Sequence, residues 1–156
     1  MDNNFNPHEP EDTGSDKRHD QCPFVFVYGT LKSGGATRGL DQLIKSGVGN
    51  GQIKGKARTQ YPDFNMVDLG SFPGVVNGKK FIQGEVWEVD KELLRALDQI
   101  EGVSSDFYKI KLIQTTLGKA WIYYLGDEYA QDLGVGLDTR NSENIEEIDN
   151  TLVWVM

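Results

Sequence analysis

Cysteine occurs once in this 156-residue chain, at Cys22. One thiol cannot form an intrachain disulfide, and no metal site can rest on paired thiolates. Histidine is almost as scarce: His8 and His19 are the only two, so the chain from residue 20 onward has no imidazole for a histidine-dependent triad. No window approaches the roughly 20 apolar residues that span a bilayer, and the polar N-terminal stretch has no signal-peptide core. Glycine is plentiful but wrongly spaced for nucleotides. Gly47, Gly49, Gly51 and Gly55 do not make a dinucleotide fingerprint, and Gly29 to Ser33 lacks the Gly-Lys-Ser ending of a phosphate loop. The expectation is a cytoplasmic protein with no membrane segment and no metal, and nucleotide binding loses its usual support.

Positive charge is short overall, with 16 basic against 24 acidic side chains and a net charge of −8. That balance argues against a nucleic-acid partner, whose phosphates need clustered Lys and Arg. The acids concentrate at the ends. Residues 23–126 hold 13 basic against 10 acidic side chains, a mildly basic centre suited to a small anionic ligand. Residues 1–22, rich in Asn, Asp, Glu and Pro, read as a disordered acidic tail. Residues 23–126 read as the folded domain. Residues 127–156 read as an acidic extension whose final run, Leu152-Val153-Trp154-Val155-Met156, docks back. The acidic tails are also candidate contacts for a basic protein partner.

Phe24 to Tyr28 is a β-branched and aromatic run expected as a strand buried on both faces. Leu40, Leu43 and Ile44 predict a short helix. Alternation over residues 51–59 predicts a strand with Ile53, Gly55 and Ala57 inward and Lys54, Lys56 and Arg58 outward. Further strands are expected at 64–69, 74–76 and 81–89, with a hairpin turn at Asn77-Gly78. Residues 108–116 and 119–125 predict a second hairpin. The fold class is therefore α+β, a small mixed sheet of barrel-like form with two main short helices.

The most informative segment is Asp90 to Gly102. Asp90 is placed to cap a helix from Lys91 to Ile100, and Leu93, Leu94 and Leu97 form its buried stripe. Glu101 lies four residues beyond Leu97 on that stripe, which aims a carboxylate inward at the negative end of the helix dipole. Dipole and desolvation would both raise its pKa toward the range useful for taking and returning a proton. The competing reading is a solvated helix-end residue. Asp98 and Glu92 fall off the stripe and read as surface residues or helix-terminus partners. Glu85 and Glu88 alternate along one strand and so form no acid-base dyad, although Glu85 shares a face with Trp87.

Val25-Phe26-Val27-Tyr28-Gly29-Thr30-Leu31 resembles the N-terminal signature of the gamma-glutamylcyclotransferase-like proteins. Four further blocks agree in order: Leu69 to Val76, Gln83 to Asp90, Leu97 to Val103 with Phe107-Tyr108-Lys109 after it, and Ala120 to Leu125. The chain differs from the common pattern at Trp87 and Lys109, where Tyr and Arg are frequent. The resemblance implies a small barrel-like enzyme that cyclises a gamma-glutamyl group to 5-oxoproline and releases a free amine, without metal or cofactor. It implies Glu101 as the catalytic general acid and base. It also implies substrate contacts from Tyr28, Gly29, Thr30 and Leu31, and from Tyr108 and Tyr124 near the pocket. The Tyr-Gly-Thr-Leu form is similar to that of the small gamma-glutamylamine branch. Two other readings stand beside it: a non-catalytic module that binds a small molecule or protein on the same fold, and a hydrolase in which the same glutamate activates water.

Overall fold

A computed structural model describes residues 14–29, 39–69, 72–102, 108–125 and 143–155. Its elements are α1 (Ser15–Gln21), β1 (Phe24–Val27), α2 (Leu40–Lys45), β2 (Gly51–Arg58), β3 (Phe64–Asp68), β4 (Pro73–Asn77), β5 (Phe81–Val89), α3 (Lys91–Ile100), β6 (Lys109–Thr115), β7 (Gly118–Tyr124), β8 (Ile145–Ile148) and β9 (Thr151–Trp154). This is an α+β fold with a mixed sheet and short helices.

The main sheet runs in the order β6-β7-β1-β5-β9-β8, and β2 also pairs with β5. β1 runs parallel to β7 and antiparallel to β5. The far edges meet: Thr59 bridges to Thr115, Gln60 N–H donates to Gln114 O at 2.9 Å, and Thr116 N–H donates to Arg58 O at 2.9 Å. That seam joins β2 to β6 and closes five strands on themselves, which removes two sheet edges. β1 is buried on both faces, as a central strand of β-branched and aromatic residues should be. Val25 and Val27 join a cluster with Trp87, Trp121, Tyr123 and the α3 leucines, while Phe26 joins the opposite cluster with Ile82, Val86 and Ile122.

α3 follows its sequence closely. The Asp90 side chain accepts from Leu93 N–H at 2.8 Å, and Leu93, Leu94 and Leu97 are wholly buried. The C-terminal run forms β9, which lies parallel to β5 through Phe81 and Ile82 and buries Leu152 and Trp154.

Four expectations are corrected. Residues 15–21, expected inside a disordered acidic tail, form α1, and Cys22 behind it is buried. α1 therefore adds a third helix to the two expected. Ile53 is exposed because β2 has a bulge between Ile53 and Gly55, with Gly55 at φ 147°, and an extra residue turns the strand over. Asn77-Gly78 does not link paired strands: β4 pairs with β3 alone, and residues 78–80 fold back onto the start of β3 through Gly78 N–H to Asp63 O and Lys80 N–H to Phe64 O. Asp98 is not a surface residue; it is 1% exposed.

Candidate active site

Glu101 is the C-terminal cap residue of α3, with its backbone N–H donating to Leu97 O, and Gly102 follows at φ 67°. A left-handed residue just past the helix end is the position glycine fills without steric cost, so the chain leaves α3 here. Glu101 keeps some exposed surface as a residue, yet protein surrounds its carboxyl. Loss of hydration pushes its pKa up from 4.5 to about 7. Desolvation, one of the two effects expected from the sequence, is the cause of the shift.

Three phenols stand close enough to feel the charge of Glu101: Tyr28 just beyond β1, Tyr108 just before β6, and Tyr123 on β7. Each is buried, and burial raises the pKa of each above the ordinary tyrosine range. All three therefore remain neutral while Glu101 titrates. Each hydroxyl donates to a different acceptor. Tyr28 donates to Tyr123 O at 2.6 Å, Tyr108 to Pro73 O at 2.6 Å, and Tyr123 to Asp98 Oδ1 at 2.7 Å. Among the described residues no hydrogen bond reaches the Glu101 carboxyl. A carboxyl with no donor to stabilise its anion and little water around it holds a proton near neutral pH and can both take one and return it.

Gly29 stands at the end of β1 beside this corner. A Cβ there would lie 2.8 Å from Pro73 Cγ and 2.9 Å from Pro73 Cδ, so close approach to a rigid ring is what requires glycine. Gly29→Ala is expected to destabilise the fold by about 1–3 kcal/mol through overpacking, checked by denaturant unfolding. An unchanged midpoint would show that the Pro73 ring moves freely.

The structure thus brings together Glu101, Tyr28 and Tyr108 of the expected site, with Gly29 at the same corner. Thr30 and Leu31 lie outside the described residues. Tyr124 is not brought to Glu101: it projects from the face of β7 opposite Tyr123, and Lys111 Nζ lies 4.7 Å from its ring centroid. Tyr123 occupies the place by Glu101, and the sequence reading missed it. In an adjacent Tyr-Tyr pair, strand alternation sends one ring to each face; Trp121, Tyr123 and Leu125 share the face that α3 covers. Asp98 was missed too. The paired-acid reading stays negative for β5, where the buried Glu85 accepts from Trp87 Nε1 at 3.1 Å. Among the described residues no helix is long and apolar enough to cross a membrane.

The main helix of this closed five-stranded sheet thus ends on the desolvated Glu101 carboxyl. The chain belongs to the gamma-glutamyl cyclotransferase, AIG2-like family, whose model matches residues 25–144. A Vibrio cholerae protein provisionally named a gamma-glutamylcyclotransferase is 38% identical over 99 residues, covering 64% of this chain and 78% of that one. The gamma-glutamylaminecyclotransferase of Bos taurus is 32% identical over 106 residues, covering 64% of this chain and 60% of that one. The crystal structure of an AIG2-like protein of Mus musculus superposes with a TM-score of 0.58 at 21% identity, over 82% of this chain and 97% of that one, which shows a shared fold.

Proposed function

We propose that the protein is a gamma-glutamyl cyclotransferase in which Glu101 is the general acid and base. The carboxylate takes a proton from the substrate's α-ammonium group. The freed amine attacks the γ-carbonyl carbon of the same molecule and closes the five-membered ring. As the bond to the leaving nitrogen breaks, the Glu101 carboxyl returns that proton to it, and the ring nitrogen, on becoming an amide, sheds a second proton through the regenerated carboxylate to the released amine, giving 5-oxoproline and an ammonium product. Because the attack is intramolecular, the protein's work is to orient the chain and to pass protons from the ring nitrogen to the leaving one. The Tyr28-to-Leu31 segment holds the glutamyl group through backbone N–H donors, and Tyr108 and Tyr123 wall the carboxyl side. The chemistry draws on no metal or cofactor.

The observation that carries this reading is the desolvated Glu101 carboxyl, with a pKa of about 7, among three phenols whose protons are already donated elsewhere. The substrate class is a gamma-glutamyl amide. Tyr28-Gly29-Thr30-Leu31 and the likeness to the bovine gamma-glutamylaminecyclotransferase favour a gamma-glutamylamine, whereas the higher identity to the Vibrio cholerae protein favours no branch. Incubation with a panel of gamma-glutamyl amines and gamma-glutamyl amino acids, followed by assay of 5-oxoproline, tests the reading. Release from at least one class supports it. Binding of those compounds without 5-oxoproline would leave the non-catalytic module in its place.

The raised pKa also predicts how stability depends on pH. The folded state holds the Glu101 proton more tightly than the unfolded chain, so this group's contribution is fully favourable below about 4.5 and is lost as the pH rises through about 7. Glu101→Gln cannot ionise. Its Tm relative to wild type is expected to rise between pH 5 and pH 8, read by thermal unfolding in matched buffers. A constant difference across that range would mean that Glu101 titrates normally.

A further inference from the structure

α1 lies outside the segment that matches the family, which begins at residue 25. It nonetheless reaches the candidate site. Arg18 of α1 forms an ion pair with Asp98 Oδ2. Tyr123 donates its hydroxyl proton to Asp98 Oδ1 at 2.7 Å, and Tyr123 is one of the phenols beside Glu101. Both oxygens of a buried carboxylate are thus engaged, one by a cation from the N-terminal helix and one by a phenol of the site. The direction of the second bond is fixed, because a carboxylate only accepts. The Arg18 backbone O also accepts from Trp121 Nε1 at 3.3 Å, and the guanidinium sits 5.8 Å from the Trp121 ring centroid, so one indole meets both the backbone and the cation of Arg18.

Building on the acid-base role assigned to Glu101, we propose that Arg18 and Asp98 are positioning residues for it. Asp98 takes the Tyr123 proton and so denies it to Glu101, while Arg18 supplies the counter-charge for Asp98. If the Tyr123 proton turned to Glu101 instead, it would stabilise the carboxylate and weaken its grip on a proton. Tyr28 and Tyr108 are restrained in the same manner, but by backbone carbonyls that no side-chain substitution removes. Asp98 is the acceptor that mutation can reach. Among the described residues, the groups facing Glu101 are Tyr28 beyond β1, Tyr108 ahead of β6 and Tyr123 on β7, with Asp98 one turn earlier on α3 and Arg18 behind it on α1.

The test follows the Glu101 side-chain carboxyl by carbon-13 NMR titration of glutamate-labelled protein, assigned with Glu101→Gln, and needs no turnover. The Arg18→Met, Asp98→Leu double variant removes one charge of each sign and replaces a buried ion pair by apolar side chains, an exchange folds often tolerate. Its Glu101 midpoint is expected to fall by about one pH unit, the scale of one added hydrogen bond to the charged form. Adding Tyr123→Phe is expected to restore the wild-type midpoint. The single variant Tyr123→Phe, which leaves the ion pair in place, is expected to shift it little, because that phenol gives Glu101 no proton to lose. The proposal is overturned if the double variant titrates like wild type, if the triple variant keeps the lowered midpoint, or if Tyr123→Phe alone raises it by a unit. These outcomes are read from a titration, so failure to release 5-oxoproline would count against the proposed reaction and not against this positioning role.

Discussion

Glu101→Gln is expected to lower kcat by roughly 10²–10⁴-fold, the usual worth of a positioned acid-base group, while leaving the fold and substrate affinity nearly intact. The amide matches the carboxyl in shape, and among the described residues the carboxyl makes no hydrogen bond that the exchange would break. It simply cannot carry the proton from the α-ammonium to the leaving nitrogen. The wild-type enzyme should show the same dependence in its pH profile. Because the reaction begins with the carboxylate, kcat/KM should rise with pH through a midpoint near the Glu101 value of about 7. That rising limb should be absent from the residual activity of the variant. Turnover of Glu101→Gln within a few-fold of wild type, or a rising limb unchanged by the substitution, would mean that another group moves the proton.

The parts of this fold that were legible in the sequence are those in which local pattern and burial agree. α3 is the clearest case: Asp90 supplies a cap, three leucines supply a stripe, and Gly102 supplies the exit, so both ends of the helix and the inward bearing of Glu101 follow from one segment. β5 and the β6–β7 hairpin follow from alternation and turn spacing. What was missed depends on contacts between distant segments. Ser-Asp-Lys-Arg-His-Asp-Gln has no apolar residue to mark a buried face, and α1 is held by what lies across from it: Arg95 on Asp16 at 2.9 Å, Lys91 on Asp20 at 3.1 Å, and His19 on Val89 O at 2.7 Å. Asp98 was read as exposed for the same reason. It sits beside the leucine stripe, on a flank that would face water if α1 did not carry an arginine to it. The bulge that turns Ile53 outward likewise depends on how β2 must fit β5, which no local pattern records.

Deleting residues 1–21 should therefore cost far more than loss of an acidic tail. The two exposed pairs, Arg95–Asp16 and Lys91–Asp20, contribute little, about 0–1 kcal/mol each, because water screens them. Arg18 is different. Its loss takes the cation away from a buried Asp98 whose Oδ1 still accepts from the Tyr123 hydroxyl, and removing one partner of a buried pair typically costs about 3–5 kcal/mol. Trp121 would also lose the Arg18 carbonyl from its Nε1, although Cys22 O at 2.9 Å remains. Against the usual net stability of about 5–15 kcal/mol, this is a large fraction. The decisive comparison is Asp98→Leu in both backgrounds. In the full chain it deprives the Arg18 cation of its carboxylate and should destabilise; in the truncated chain it removes a buried anion that has lost this cation and should stabilise. Denaturant unfolding of the four proteins reads that reversal of sign. If Asp98→Leu changes stability by the same amount with and without residues 1–21, α1 is not what holds Asp98 in the interior.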